Sequence, residues 1–283
     1  MNMNDSKNKK YLDNLLTSIK EDWQTYHKYY KEKNSFGVQN RLFSMVSKYC
    51  STGILSYLLD GDRSGFFQLF YNAALTYDLH NDYCNVGMPH EKMTYSLSDP
   101  RGFFAGLLSM GQKQAQRLSL SMYNKCRYSE DEFHFCFIYS LSQMMLPEQT
   151  EVHLGNLKVL TEFKEEGREA DIEIGIFEGL LYKDEDKFVE TIGKYLNRRE
   201  NQIKKNDDVN IGEEYISIEG LGIIRLAQDI GINVQINHRL TPLELQTNYP
   251  SIDLLSENEI PAPKKEIDDP EFWKDWKAVE SVL

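Results

Sequence analysis

The sequence has no apolar run that could cross a membrane. A span needs about 18 uninterrupted apolar residues, and the strongest stretch, 135–141, is broken by Tyr139 and Ser140. The first ten residues are mostly Asn, Asp, Ser and Lys and hold no apolar core of a secretion signal, so a cytoplasmic protein is expected. Only four cysteines are present, Cys50, Cys84, Cys126 and Cys136, far apart and with no C-x-x-C pair. In a reducing compartment they are expected to be thiols that pack as small hydrophobes. His80 and Cys84 at helical spacing, joined by His134 and Cys136, are the nearest approach to a metal site. Structural zinc sites use two tight ligand pairs, so neither metal nor cofactor is expected. Positive charge is also scarce, with 32 Lys and Arg against 44 Asp and Glu and a net charge of −12. Phosphate affinity comes from clustered Lys and Arg, so the balance argues against nucleic acid and against an anionic membrane as partners.

Catalytic signatures are missing as well. No G-x-S-x-G occurs, and no cysteine sits in a recognisable nucleophile motif. Gly102, Gly106 and Gly111 follow no strand, so they read as places where a neighbouring backbone comes close rather than as a phosphate loop. With 44 acidic residues some carboxylates will always lie in pairs, and such pairs are ordinarily a solvated face. The chain is therefore not expected to be an enzyme.

What is present is helical periodicity over most of 283 residues, 41% of them hydrophobic, with 17 Tyr and 14 Phe. That content can bury a substantial core and is unlike a disordered chain. Spacing predicts helices over about 9–31, 38–59, from 64 to before Asn81, 101–124, 130–145, 151–163 and 213–230. Gly61 closes the second, Pro100 opens the fourth, and Ser129 caps the fifth ahead of an acidic first turn. The segments 84–100 and 250–263 read as loops. Ile232 to Ile236 alternates apolar and polar residues and reads as one short extended piece. Thr241 then caps a turn at Pro242, and 268–282 reads as a short closing helix. The expected fold class is all-α, an irregular antiparallel helical bundle or stacked helix pairs, with at most one short extended segment near the C-terminus. It is read as a single domain over 1–283, with a soft division between N-terminal helices 1–127 and C-terminal helices 128–283.

The segment 170–201 is the most informative. Ile172, Ile174, Ile176, Phe177, Leu180 and Leu181 supply apolar positions to a first helix, although the early alternation also fits a strand. Lys183, Asp184, Glu185, Asp186 and Lys187 interrupt it. Phe188, Val189, Ile192, Tyr195 and Leu196 then resume the helical pattern. The result is a helical hairpin with an acidic corner. A second acidic cluster, Glu165, Glu166, Glu169, Asp171 and Glu173, lies just before it.

The stretch GIFEGLLYKDEDKFVETIGKYLNRREN, followed by EEYISIEGLGIIRLAQDIGINVQINHRLTPLEL, resembles the C-terminal half of the immunity protein 49 family of bacterial polymorphic toxin systems. The resemblance rests on Asp186 with Phe188, on Leu221 through Ile230, on Gly231 with Val234, and on Pro242 with Leu243. It implies a helical, cytoplasmic, non-enzymatic protein that binds a cognate toxin domain and blocks its active site. Charge points to Glu165, Glu166, Glu169, Asp171, Asp184, Glu185 and Asp186 as the toxin-binding residues, because a nuclease toxin would offer a basic cleft. A helical-repeat scaffold for protein–protein interaction remains open beside this, as does an enzyme with a site hidden in the helical core. A homodimer is compatible with either binding reading.

Overall fold

The computed structural model describes residues 5–86, 101–109, 115–116, 118, 133–146, 150–165, 170–205, 212–247, 249 and 271. Among the described residues the chain is all-α. The helices are α1 (Asp5–Lys31), α2 (Ser35–Asp60), α3 (Arg63–Val86), α4 (Arg101–Ser109), α5 (Phe133–Gln143), α6 (Thr150–Glu165), α7 (Asp171–Tyr182), α8 (Glu185–Lys204) and α9 (Ile218–Asp229), with a 3₁₀ turn at Leu243–Leu245. The chain divides into two compact units, one of residues 1–109 together with 250–283 and one of residues 110–249.

In the first unit α1, α2, α3 and α4 pack as successive neighbours. Asn34 starts α2 by accepting from the Gly37 amide at 3.0 Å, and Gly61, at φ 67°, ends it in the left-handed conformation that glycine adopts without cost. The core is aromatic. Phe66 stacks on Phe70 with ring centroids 4.2 Å apart. The Tyr26 and Tyr83 hydroxyls meet at 3.1 Å, and the Trp23 indole donates to the Tyr49 hydroxyl at 2.9 Å. Tyr26, Tyr49 and Tyr83 thereby keep a partner for their polar ends. Asp22, also buried, sits between Arg41 at 3.1 Å and Lys48 at 2.5 Å.

Two predicted boundaries are corrected. The third helix does not stop before Asn81 but continues to Val86, because Asn81 and Tyr83 are buried in the core and packing overrides the weak helix propensity of Asn and Asp. The last helix begins at Ile218, not at Glu213. Ser217 caps it by accepting from the Gly220 amide at 3.0 Å, and residues 212–215 form a turn. At Gly102 a side chain would run into the Tyr77 ring, so the close neighbour there is an aromatic side chain and not a backbone. Cys50 and Cys136 are buried, as is His80 between the rings of Phe43 and Tyr77. The predicted loop 84–100 is likewise corrected at its start, since residues 84–86 belong to α3; its remainder, the predicted loop 250–263, the Ser129 cap, Cys126 and most of the closing helix fall outside the described residues.

In the second unit α5 packs on α6, α6 on α7, α7 on α8 and α8 on α9. After α9 the chain runs extended with Ile232, Val234 and Ile236 buried and Asn233, Gln235 and Asn237 exposed, which is the expected alternation. Among the described residues it pairs with no strand. Side chains satisfy its backbone instead: Gln228 donates to the Val234 carbonyl at 2.9 Å, and Gln246 binds both polar groups of Ile236 at 2.8 Å. No helix among the described residues is long and apolar enough to cross a membrane.

Candidate protein-binding site at a helical hairpin

The strand alternative for 172–176 is excluded: the hairpin is α7, a two-residue link and α8. Glycine sets how closely the helices approach. A Cβ on Gly179 would lie 2.9 Å from the backbone N and Cα of Phe188, and one on Gly175 would lie 2.5 Å from Thr191 Cγ2. Phe177, Leu180, Phe188, Ile192 and Leu196 fill the seam and are buried. This burial of apolar surface is what drives the pairing.

The turn is fixed at both ends. Lys183 adopts φ 53°, and its amide donates to Leu180 O at 3.3 Å, while the next amide, of Asp184, donates to Gly179 O at 2.9 Å. These two bonds satisfy the last carbonyls of α7 in the pattern usually closed by glycine. Asp184 then starts α8 by accepting from the Lys187 amide at 3.0 Å. Asp184→Ala is expected to lower stability by about 1 kcal/mol, read as a lower denaturant midpoint. An unchanged midpoint would show that the cap is not formed in solution.

The seven acidic candidates therefore separate. Asp184 is exposed, but its carboxylate is engaged with the start of α8. Glu185 and Asp186 occupy the first turn, where negative charge suits the helix dipole. They are exposed and form no ion pair among the described residues. Asp171 is at the far end of α7, about 20 Å away at the rise of an α-helix, and is paired with Lys164 at 2.5 Å. The structure does not bring the two clusters together. Glu165 ends α6, whereas Glu166 and Glu169 fall outside the described residues.

Lys187 reaches back across the turn to Glu178 at 2.5 Å, and that carboxylate raises the pKa of the ammonium. Farther along α8 lies a charged network that sequence reasoning missed. Arg198 pairs with the buried Glu173 of α7 and lies 5.6 Å over the Tyr195 ring. The Tyr195 hydroxyl donates to Glu219 of α9. Burial first, and the Glu219 charge second, hold that hydroxyl well above the usual tyrosine range. Arg199 meets Glu213 at 3.0 Å, and Glu200 receives Arg239 at 2.7 Å and Lys204 at 3.2 Å. The run Arg198–Arg199–Glu200 on an amphipathic helix was a visible signal, but its partners Glu173, Glu213 and Arg239 lie 14 to 39 residues away in sequence. The network ties α7, α8, α9 and the extended segment together, and its charges are spent internally.

Among the described residues no three metal-ligating side chains gather. What the hairpin leaves on its surface is a rigid turn with exposed carboxylates. The model of a family described as immunity protein 49 matches residues 99–245, just over half of the chain, including the hairpin, its charged network and the extended segment. The match reaches farther toward the N-terminus than the stretches that carry the resemblance in sequence. No curated protein and no solved structure matches the chain.

Proposed function

We propose that this chain, which belongs to the immunity protein 49 family, binds a cognate toxin domain of a bacterial polymorphic toxin system and neutralises it by covering its active site. Family membership carries the reading. The acidic corner supports it. Glu185 and Asp186 project from a turn locked by two backbone bonds and a capping carboxylate, so a basic cleft such as that of a nuclease would meet charges already in place. Oriented charge of this kind steers encounter and fixes register. The protein acts by occlusion in the cytoplasm and catalyses no reaction.

The test is co-expression with the C-terminal toxin domain encoded by the adjacent gene, scoring survival and co-purification. Rescue together with a stoichiometric complex is expected, and absence of both overturns the immunity reading for that pair. In the complex, Glu185→Gln with Asp186→Asn is expected to slow association several-fold at low salt and flatten its salt dependence. An unchanged association rate would remove the acidic corner from the interface and leave inhibition through another face.

A further inference from the structure

We infer that Tyr182 is the anchor of the toxin interface, and that the partner offers an apolar socket rimmed by Lys or Arg; the inference rests on the immunity reading above. Tyr182 is 60% exposed, against 40–47% for the other exposed large hydrophobic side chains described. A lone exposed apolar residue is ordinary on a protein surface. Three features set this one apart.

The first is its base. Tyr182 is the last residue of α7, directly before the left-handed Lys183, and the amides of Lys183 and Asp184 close on Leu180 O and Gly179 O beneath it. Gly179 presses the same turn of α7 onto the Phe188 backbone. The ring therefore projects from a backbone that has little freedom left to lose on binding. Tyrosine adds only two torsions of its own, which is why rigid aromatic residues serve as interface anchors.

The second is chemistry left unused. The Tyr182 hydroxyl makes no hydrogen bond among the described residues, whereas Tyr26 and Tyr195 both spend theirs inside the fold. An exposed ring with an idle hydroxyl can supply apolar area and a polar tip to a partner. The third is charge. Glu178 and Lys187 neutralise each other across the turn, so the charges left beside the ring are Lys183, the capping Asp184, and the exposed Glu185 and Asp186. Their sum is negative and selects a positively charged rim. An apolar contact enclosed by a polar ring is the arrangement in which truncation of one aromatic residue costs most.

The experiment uses the full chain and the toxin domain encoded next door, with dissociation constants measured for wild type, Tyr182→Ala, Tyr182→Phe and Leu154→Ala. Leu154 is a control exposed to 47% on α6. Tyr182→Ala is expected to weaken binding at least 30-fold and Tyr182→Phe, which removes only the polar tip, about three- to tenfold, while Leu154→Ala stays within about threefold of wild type. Thermal midpoints within a few degrees of wild type establish that each variant folds. Tyr182→Ala within threefold of wild type overturns the anchor and leaves the immunity reading standing. A wild-type chain that does not bind overturns the immunity reading, and the anchor with it.

Discussion

Replacing Gln246 by Leu is expected to cost about 2–4 kcal/mol, a large part of the stability of an ordinary domain, although Gln246 lies in no regular element and near no candidate site residue in sequence. Its carboxamide is buried and fully used. It accepts from the Ile236 amide at 2.8 Å and donates to Ile236 O at 2.8 Å and Thr241 O at 2.5 Å. These are the contacts a neighbouring strand would otherwise provide. Leu preserves most of the side-chain volume, so the loss isolates the polar term: the Ile236 amide and the Thr241 carbonyl are stranded in an apolar setting, at about 1–3 kcal/mol each. Ile236 O keeps the His238 amide at 3.0 Å and the Thr241 hydroxyl at 3.3 Å, so it is not among the stranded groups. Damage should spread to the start of α9, because the Ser217 amide donates to Leu240 O at 2.8 Å inside the same segment. Urea unfolding of wild type and variant measures the difference. A loss below about 1 kcal/mol would mean that water replaces the carboxamide and that the segment is not sealed.

Gln246 also shows where sequence reading ends. The alternation of Ile232, Val234 and Ile236 was legible and is present, because hydrophobic spacing reports which side of a segment is covered. It does not report what satisfies the backbone. A glutamine ten residues downstream carries no hydropathy signal, and nothing local distinguishes it from a surface residue. The same limit applies to charge. The acidic corner was visible as a run of letters, but which carboxylates stay available depends on cations elsewhere in the fold. Glu173 is taken by Arg198, 25 residues on, and Asp171 by Lys164 of the preceding helix. Asp184 is different again, since capping residues announce themselves: Asp ahead of Glu, Asp and an apolar periodicity is a helix start. Local rules therefore suffice for the hairpin and for Gly61 closing α2, while the cue at Asp184 was passed over in favour of its charge. They fail at the end of α3, where the burial of Asn81 and Tyr83 decides. Tyr182 was unreadable for a related reason, since a tyrosine at the end of an apolar run looks like one more core residue until the turn places it outside.

Glycines within one hairpin are expected to respond oppositely to the same substitution. Gly179→Ala places a methyl group 2.9 Å from two backbone atoms of Phe188, closer than carbon atoms are found in real contacts. A side chain could rotate away, but the Phe188 backbone is held where its amide bonds Asp184 O at 2.9 Å, and Asp184 in turn caps the helix. The helices must separate, loosening Phe188, Leu180 and Ile176, all fully buried. Overpacking of this kind costs about 1–3 kcal/mol and exceeds the roughly 1 kcal/mol that Ala gains over Gly in a helix. A net loss of about 1 kcal/mol is expected. At Gly193 of α8 a Cβ meets nothing within 4 Å, so Gly193→Ala keeps the propensity gain and should stabilise by about 0.5–1 kcal/mol. Equilibrium unfolding of the two variants tests the pair, and if Gly179→Ala also stabilises, the helices are not in the close contact described. The substitution carries a functional signature too. Tyr182, Glu185 and Asp186 stand on the turn that joins these helices, so Gly179→Ala is expected to weaken toxin binding without touching the partner, while Gly193→Ala leaves binding as it was.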